Sequence, residues 1–423
     1  MNNVSAHRAF SFLRTYGYER VSCSKEEHTV AEALLNECTS LGVSAQLEEF
    51  TVPCGRVSHA LLRVTSPYVK EYEVTGYERA ASTPEGGLDA EFLYVENADE
   101  VLLEQAKGKI VLVNGYLNRA TYEKLRKAEA AAILTFTGRT IDRENESDLN
   151  RCKLRETLTE PFGAIPVLNM RAASAAEIVR RGAKTVHIEL TGECYDGTSQ
   201  NVCATIPGTD KPSEVITLGG HYDSVYFSSG VHDNLSGSVI VLELLRYFAA
   251  HPPRRTLRFC WFGSEEQGLL GSKAYVKAHA DELKDCVAML NFDVAAPTLG
   301  SNHLVTLATD DALHYVTGVL REAGYGVRAK QDTYSSDCIP FADNGVPAIN
   351  LARFGANGAD YMHNRHDSLK SGYLDEHALD ITLQQGFVLL ERLANAASFP
   401  IKREIAPEIR QKVDEYLFKA KKE

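Results

Sequence analysis

At 423 residues the chain is long enough for two or three domains of roughly 150 residues each, and its 44% apolar, 24% charged composition is that of a globular protein with a sizeable core. A net charge of −12, with no basic stripe interleaved with aromatics, argues against a nucleic-acid partner. No run approaches the ~18 apolar residues that span a bilayer.

The opening MNNVSAHRAFSFLRTYGYERVSC has no basic segment followed by an apolar one, so no secretory signal is expected. Nine cysteines (Cys23, Cys38, Cys54, Cys152, Cys194, Cys203, Cys260, Cys286 and Cys338) are scattered, odd in number and without a CxxC pair. That usage reads as reduced thiols in a cytoplasmic protein. Apolar spacing predicts a helix over 26–41, with Gly42 behind it as a cap, and alternation in SAQLEEFTVP predicts a strand. His28, at the start of that helix, reads as a surface residue.

Between about 75 and 190 the character changes. Short strands are expected at 91–95, 110–113, 132–136 and 186–190, with helices over 121–130 and 172–181. The mixed charges over 139–155 read as a solvated loop. No cluster with ligand spacing occurs here, so this stretch is expected to be a separate α/β module without chemistry of its own.

Chemistry concentrates after it. In VITLGGHYDSVYFSSGVHDNLSGSVIVLELLRYFAAHPPRRTLRFCWFGSEE, apolar runs at 215–218 and 256–262 each break into acidic or imidazole side chains, with a helix-periodic segment over 235–250 between them. Further on, strands are expected at 287–295, ending in Asp293, and at 346–354, followed by the loop DYMHNRHDS. Helices are expected over 312–323 and 379–397, and the charged tail reads as a surface helix or an oligomer contact.

The strand ends thus supply His221, Asp223, Asp233, Glu265, Glu266, Asp293 and His363. Each alone has an ordinary reading, as a helix cap, a turn residue or a solvated side chain. Together they lie where an open α/β sheet converges its loops. Two imidazoles and three carboxylates suit two divalent ions such as Zn²⁺, and an extra carboxylate beside a ligating one can serve as general base. Asp223, two residues beyond His221, is placed to accept the imidazole N–H and fix its tautomer. Glycines at 219, 220, 230, 263, 268 and 271 permit a tight backbone around these residues.

The motifs GGHYDSV, GVHDNLSGS, FGSEEQGLLGS, NFDVA and YMHNRHDS, in this order, resemble metallopeptidase family twenty-eight, the co-catalytic zinc aminopeptidases. The match spans 1–75 and 195–400; the middle stretch, with GKIVLVNG, AEAAAILTF and AIPVLNM, resembles the protease-associated domain often inserted in that family. The resemblance implies an α/β fold with a doubly wound mixed sheet and helices on both faces, of the zinc-peptidase phosphorylase/hydrolase-like kind. It divides the chain into a discontinuous catalytic domain, 1–75 with 195–423, and an insert, 76–194. It implies two Zn²⁺ per chain, with Asp233 bridging, His221 and Asp293 completing one site, Glu266 and His363 the other, and Glu265 as general base. The peptide after the bridging aspartate, Asp233–Asn234, is expected to be cis. The implied activity is removal of the N-terminal residue from peptides with a free amine.

Two departures stand out. The family commonly carries a tyrosine just before the last ligand histidine; Met362 stands there, with Tyr361 one further back as the replacement and Arg353 or Tyr334 as alternative donors. Ser336, Asp337 and Cys338 stand where the family has Ser-Asp-His, which bears on substrate preference. The scaffold also hosts carboxypeptidases for acidic dipeptides, single-zinc glutaminyl cyclases and ligand-less receptor-like relatives. A cyclase is expected to bind one metal. A carboxypeptidase needs a cationic clamp, for which Arg353 and Arg365 are candidates.

Overall fold

In the computed structural model, which describes residues 4–143 and 149–419, the chain forms two compact units, Met1–Val52 with Thr198–Glu423, and Pro53–Gly197. The expected start of the insert at 76 is therefore too late. Strand Ser44–Ser66 runs through Pro53 without a turn, so the fold divides inside a strand, before the composition changes. The return crossing lies in strand Thr185–Ile206.

The first unit is built on a mixed sheet. Its order is Arg328–Gln331, Gly300–Leu307, Ala348–Gly355, Cys286–Phe292, Lys211–His221, Arg255–Phe262 and the last residues of Thr185–Ile206. The four strands from Ala348–Gly355 to Arg255–Phe262 are parallel. Gly300–Leu307 and Thr185–Ile206 flank them antiparallel. Register matters for the site: His221 pairs with Phe262, Asn291 with Gly219, and Phe292 with Leu351. All four strands therefore release their chains at one edge of the sheet.

Alternation along these strands covers both faces. Leu257, Phe259 and Trp261 pack with helices Ala6–Tyr16, Lys25–Ser40, Ser236–Ala250 and Glu376–Asn395. Cys260, Phe262 and Met289 pack with Leu270–Ala278, Cys338–Asp343 and Pro407–Tyr416. The expected doubly wound architecture is what forms. Helix Ser236–Ala250 is buried on nearly all sides, as its run VIVLELL dictates. Trp261 is fully buried and satisfies its indole N–H on Ser238 O at 2.9 Å.

Gly237 sits where that helix crosses the strand ending at Phe292. A Cβ there would run into the Phe292 carbonyl and lie 2.5 Å from Asn234 Oδ1. Helix Ala6–Tyr16, capped by Ser5, and strands Gly300–Leu307 and Arg328–Gln331 were not expected from sequence. The first half of Gly300–Leu307 is polar, which hides its period.

In the second unit the strand order is the first residues of Thr185–Ile206, then Leu88–Tyr94, Ile110–Leu112, Ala132–Thr137, Val167–Arg171 and Val74–Gly76. The inner pairings are parallel and the two outer ones antiparallel. Helices Arg119–Lys127 and Ala172–Arg180 pack on these strands through Tyr122, Leu125, Ala175 and Ile178. Of the loop expected over 139–155, residues 144–148 lie outside the described residues, as do 420–423 of the tail, whose helix is Pro407–Tyr416.

Candidate metal centre

The shared sheet edge delivers the strand-end residues to one place. His221 is the last residue of its strand. Glu265 and Glu266 follow Phe262 with Gly263 and Ser264 between, across a turn in which Ser264 has φ 53°. Asp293 follows Phe292 directly, and Val294 behind it has φ 66°. A β-branched residue in the left-handed region costs on the order of 1–3 kcal/mol and persists only where its surroundings impose it. Here Val294 N donates to Asn234 Oδ1 at 3.0 Å and Val294 O accepts from Arg353 N at 2.8 Å.

Asp233 lies in the turn Val231–Leu235 ahead of the buried helix, outside helical φ/ψ. The Asp233–Asn234 peptide is cis.

Two triads of ligand atoms result. Those of His221, Asp233 and Asp293 lie within 4.8 Å of one another, as do those of Asp233, Glu266 and His363. Asp233 belongs to both: one oxygen is 3.2 Å from His221 Nε2, the other 2.9 Å from His363 Nε2. Asp293 Oδ1 is 3.7 Å from His221 Nε2 and Glu266 Oε2 is 3.2 Å from His363 Nε2. Glu265 Oε2 lies 3.9 Å from His221 Nε2, in neither triad. Asp223 faces His221 Nδ1 at 3.3 Å. All seven strand-end residues are thus brought together, with His363 the exposed member.

The electrostatics are those of a cation site. Burial opposes charge on His221, yet Glu265, Asp223, Asp233 and Asp293 hold its imidazole well above the ordinary range. Glu266 pushes His363 up to about 12. Burial works against the Asp233 carboxylate, but His221 and His363 outweigh it and hold Asp233 below the usual range. Burial raises Glu265 and Glu266, and raises Asp337 to about 7 beside His221 and Asp293. A pocket this rich in carboxylates binds protons when no cation is present and releases them to one that enters. Imidazole nitrogens and carboxylate oxygens in this arrangement fit divalent zinc.

Sequence reasoning missed several supports. Asp367 accepts His232 N at 2.7 Å and Asp233 N at 3.0 Å, holding the residue common to both triads by its main chain. Burial raises its carboxyl to about 6. Asn234 ties the same turn to the neighbouring strand, donating to Phe292 O at 2.8 Å. Asp367, four residues past His363, was visible only as one more polar residue in DYMHNRHDS.

The expected place of Tyr361 needs correction. Its hydroxyl donates to Gly358 O at 2.8 Å, and its ring packs on Tyr373 and His366. Arg353 is held by Pro297 O, Asn302 Oδ1 and Thr298 O. Burial raises the Tyr334 hydroxyl well above the usual range, and Asp293, Asp233 and Glu265 raise it further.

Comparison with known proteins agrees with this geometry. Residues 201–384 match the model of Peptidase family M28. The chain is 28% identical over 342 residues to Aminopeptidase YwaD of Bacillus subtilis (strain 168), covering 78% of this chain and 71% of that one. It is 27% identical over 291 residues to Carboxypeptidase Q of Mus musculus, covering 66% and 62%. Among solved structures, BSAP, a zinc aminopeptidase from Bacillus subtilis, shares the fold with a TM-score of 0.78 at 21% identity, over 96% of this chain and 100% of that one.

Proposed function

Because residues 201–384 of this chain belong to peptidase family M28, we propose that the protein is a zinc-dependent aminopeptidase acting on peptides with a free N-terminal amine. The observation that carries this reading is the pair of ligand triads sharing Asp233, with Glu265 beside them. Two triads support two ions per chain. His221, Asp233 and Asp293 would hold one, and Asp233, Glu266 and His363 the other.

Zinc held by these residues would supply Lewis acidity toward the scissile carbonyl and a water. Glu265, beside the triads but in neither, is placed to accept a proton and pass it to the leaving amine. Asp223 orients His221 through Nδ1. Tyr334 is the donor for the oxygen that gains charge, in place of Tyr361. The substrate amine, as a cation, rests among the same carboxylates.

The carboxypeptidase alternative needs a cationic clamp; of its two candidates, Arg353 and Arg365, Arg353 is committed to Pro297 O, Thr298 O and Asn302 Oδ1. A single-zinc cyclase leaves the second triad without a purpose. The reading extends to a cytoplasmic protein, supported by nine cysteines without a disulfide. It also extends to Pro53–Gly197 as a protease-associated module, supported by its forming a compact unit of its own.

The test pairs metal analysis of the purified protein with a panel of aminoacyl and N-acetylated dipeptides. Zinc bound at two per chain, with cleavage only when the amine is free, is the expected result. Activity that survives N-acetylation, or an intact protein that binds no zinc, overturns the reading.

A further inference from the structure

Residues 19–27, which run from the linker after helix Ala6–Tyr16 into the first turn of helix Lys25–Ser40, touch the loops of the metal centre at more points than a connector requires. Arg20 is fully buried. Its guanidinium donates from Nε to Tyr222 O at 2.6 Å, from Nη1 to Ser229 O at 2.7 Å and to Tyr18 O at 2.5 Å, and from Nη2 to Gly230 O at 2.8 Å. Its main chain pairs both ways with Ser224, N to Oγ at 2.9 Å and O from Ser224 N at 3.1 Å. Carbonyl oxygens, not a carboxylate, take the protons of this cation. They belong to Tyr18, just past the preceding helix, or to the loop that runs from His221 to Asp233.

Seven residues on, Glu27 does the converse. It is also buried, and Ser24-x-x-Glu27 reads as a helix capping box. The carboxylate reaches beyond the cap, however. Oε2 accepts Cys23 N at 2.6 Å, while Oε1 accepts Ser264 N at 3.1 Å and Ser199 Oγ at 2.8 Å. Ser22 adds a hydrogen bond of 2.5 Å between its hydroxyl and that of Ser264. Ser264 is the left-handed residue directly before Glu265 and Glu266. Gly230, also left-handed at φ 52°, is the residue three before Asp233, and a Cβ on it would lie 3.0 Å from Arg20 Nη2.

We infer that residues 19–27 form a two-ended brace of the metal centre: Arg20 positions the loop that presents Asp233, and Glu27 positions the turn that presents Glu265. The inference rests on the zinc-peptidase reading above. Arg20 and Glu27 are positioning residues, since neither touches a ligand atom or the reacting atoms. A buried cation on bare carbonyls and a buried carboxylate on main-chain amides each lose heavily when one partner is removed, because the other is left unsatisfied. The two ends govern different outputs. Loosening the Asp233 loop weakens metal binding at both triads; loosening the Ser264 turn misaims the base and disturbs Glu266, while His221, Asp233 and Asp293 keep one triad whole.

The test uses the full chain with Arg20→Lys, which keeps the charge but not the fork, and Glu27→Gln, which keeps one acceptor oxygen. Zinc affinity is measured by chelator competition, and kcat and KM at saturating zinc, each per folded molecule by circular dichroism. Arg20→Lys is expected to weaken zinc binding about 10–100-fold, with KM within about threefold of the parent, and Glu27→Gln to lower kcat about 10–100-fold at unchanged zinc stoichiometry. Should Arg20→Lys fail to fold, Arg20→Ala with added guanidinium takes its place, recovery of zinc affinity on adding the ion being the expected outcome. Variants that lower the melting temperature yet match the parent in zinc affinity and kcat make the segment a plain structural connector and overturn the inference. A folded parent without zinc sinks the peptidase reading itself, and the brace with it.

Discussion

Asp223 accepts the backbone N–H of Glu265 at 3.0 Å through one carboxylate oxygen, and its other oxygen accepts that of Glu266 at 3.2 Å. The same side chain faces His221 Nδ1. One buried carboxylate thus lies against the His221 imidazole and holds the main chain of both Glu265 and Glu266. Asp223→Ala is expected to cost about 10–100-fold in zinc affinity, as loss of an outer ligand partner does, and to lower kcat as well. Chelator competition alongside steady-state kinetics separates the two; loss of only one would show that Asp223 serves only one of its contacts.

Glu265 and Asp233 predict opposite phenotypes. Glu265→Gln removes the proton acceptor while keeping shape and both triads, so turnover should fall about 10²–10⁴-fold with zinc content unchanged. Asp233→Ala removes the residue common to both triads and should strip metal. Residual turnover near the parent's in Glu265→Gln would move the base to another carboxylate.

The tyrosines provide a third comparison. Tyr334→Phe is expected to lower kcat by about 10²-fold, the scale of losing an oxyanion donor, and Tyr361→Phe to leave it nearly unchanged. The reverse pattern in kcat would restore Tyr361 to the site and require its loop to swing away from Gly358.

Packing gives a fourth. Gly237→Ala forces a methyl against Phe292 O and Asn234 Oδ1. Overpacking of this kind costs about 1–3 kcal/mol, read as a lower midpoint in urea. Because Asn234 follows the bridging aspartate, zinc binding should weaken with it. A stable variant with the parent's zinc affinity would mean that the helix start relaxes freely.

The second unit carries a pH signature of its own. His187 lies between Asp89 at 3.1 Å and Glu189 at 3.2 Å, and Glu189 also meets His59 at 2.8 Å. Burial opposes charge on His187, but the two carboxylates outweigh it and hold the imidazole above its usual range. A raised folded value gives stability that is complete below the unfolded value of about 6.5 and is lost as pH rises through the folded one. Amide exchange in Thr185–Ile206 should therefore quicken from pH 6 to pH 8 beyond its intrinsic rise, and Glu189→Gln should flatten that excess. An equal excess in the variant would place the titrating group elsewhere.

The sequence by itself determined the strands that end in His221, Phe262, Phe292 and Gly355, and the chemistry at their ends. Buried parallel strands are short apolar runs, and a sharp break to acid or imidazole marks the point where the chain leaves the core. The side chains holding those ends in place were decided by the tertiary fold. Arg20 reaches Tyr222 across 202 residues, and Asp367 reaches Asp233 across 134. A hydrogen-bond partner at that separation leaves no period and no spacing in the chain, because it exists only once the sheet has brought the loops together. For the same reason Tyr361, two residues before His363, is bonded to Gly358, while Tyr334, 27 residues earlier, lies in the field of Asp233.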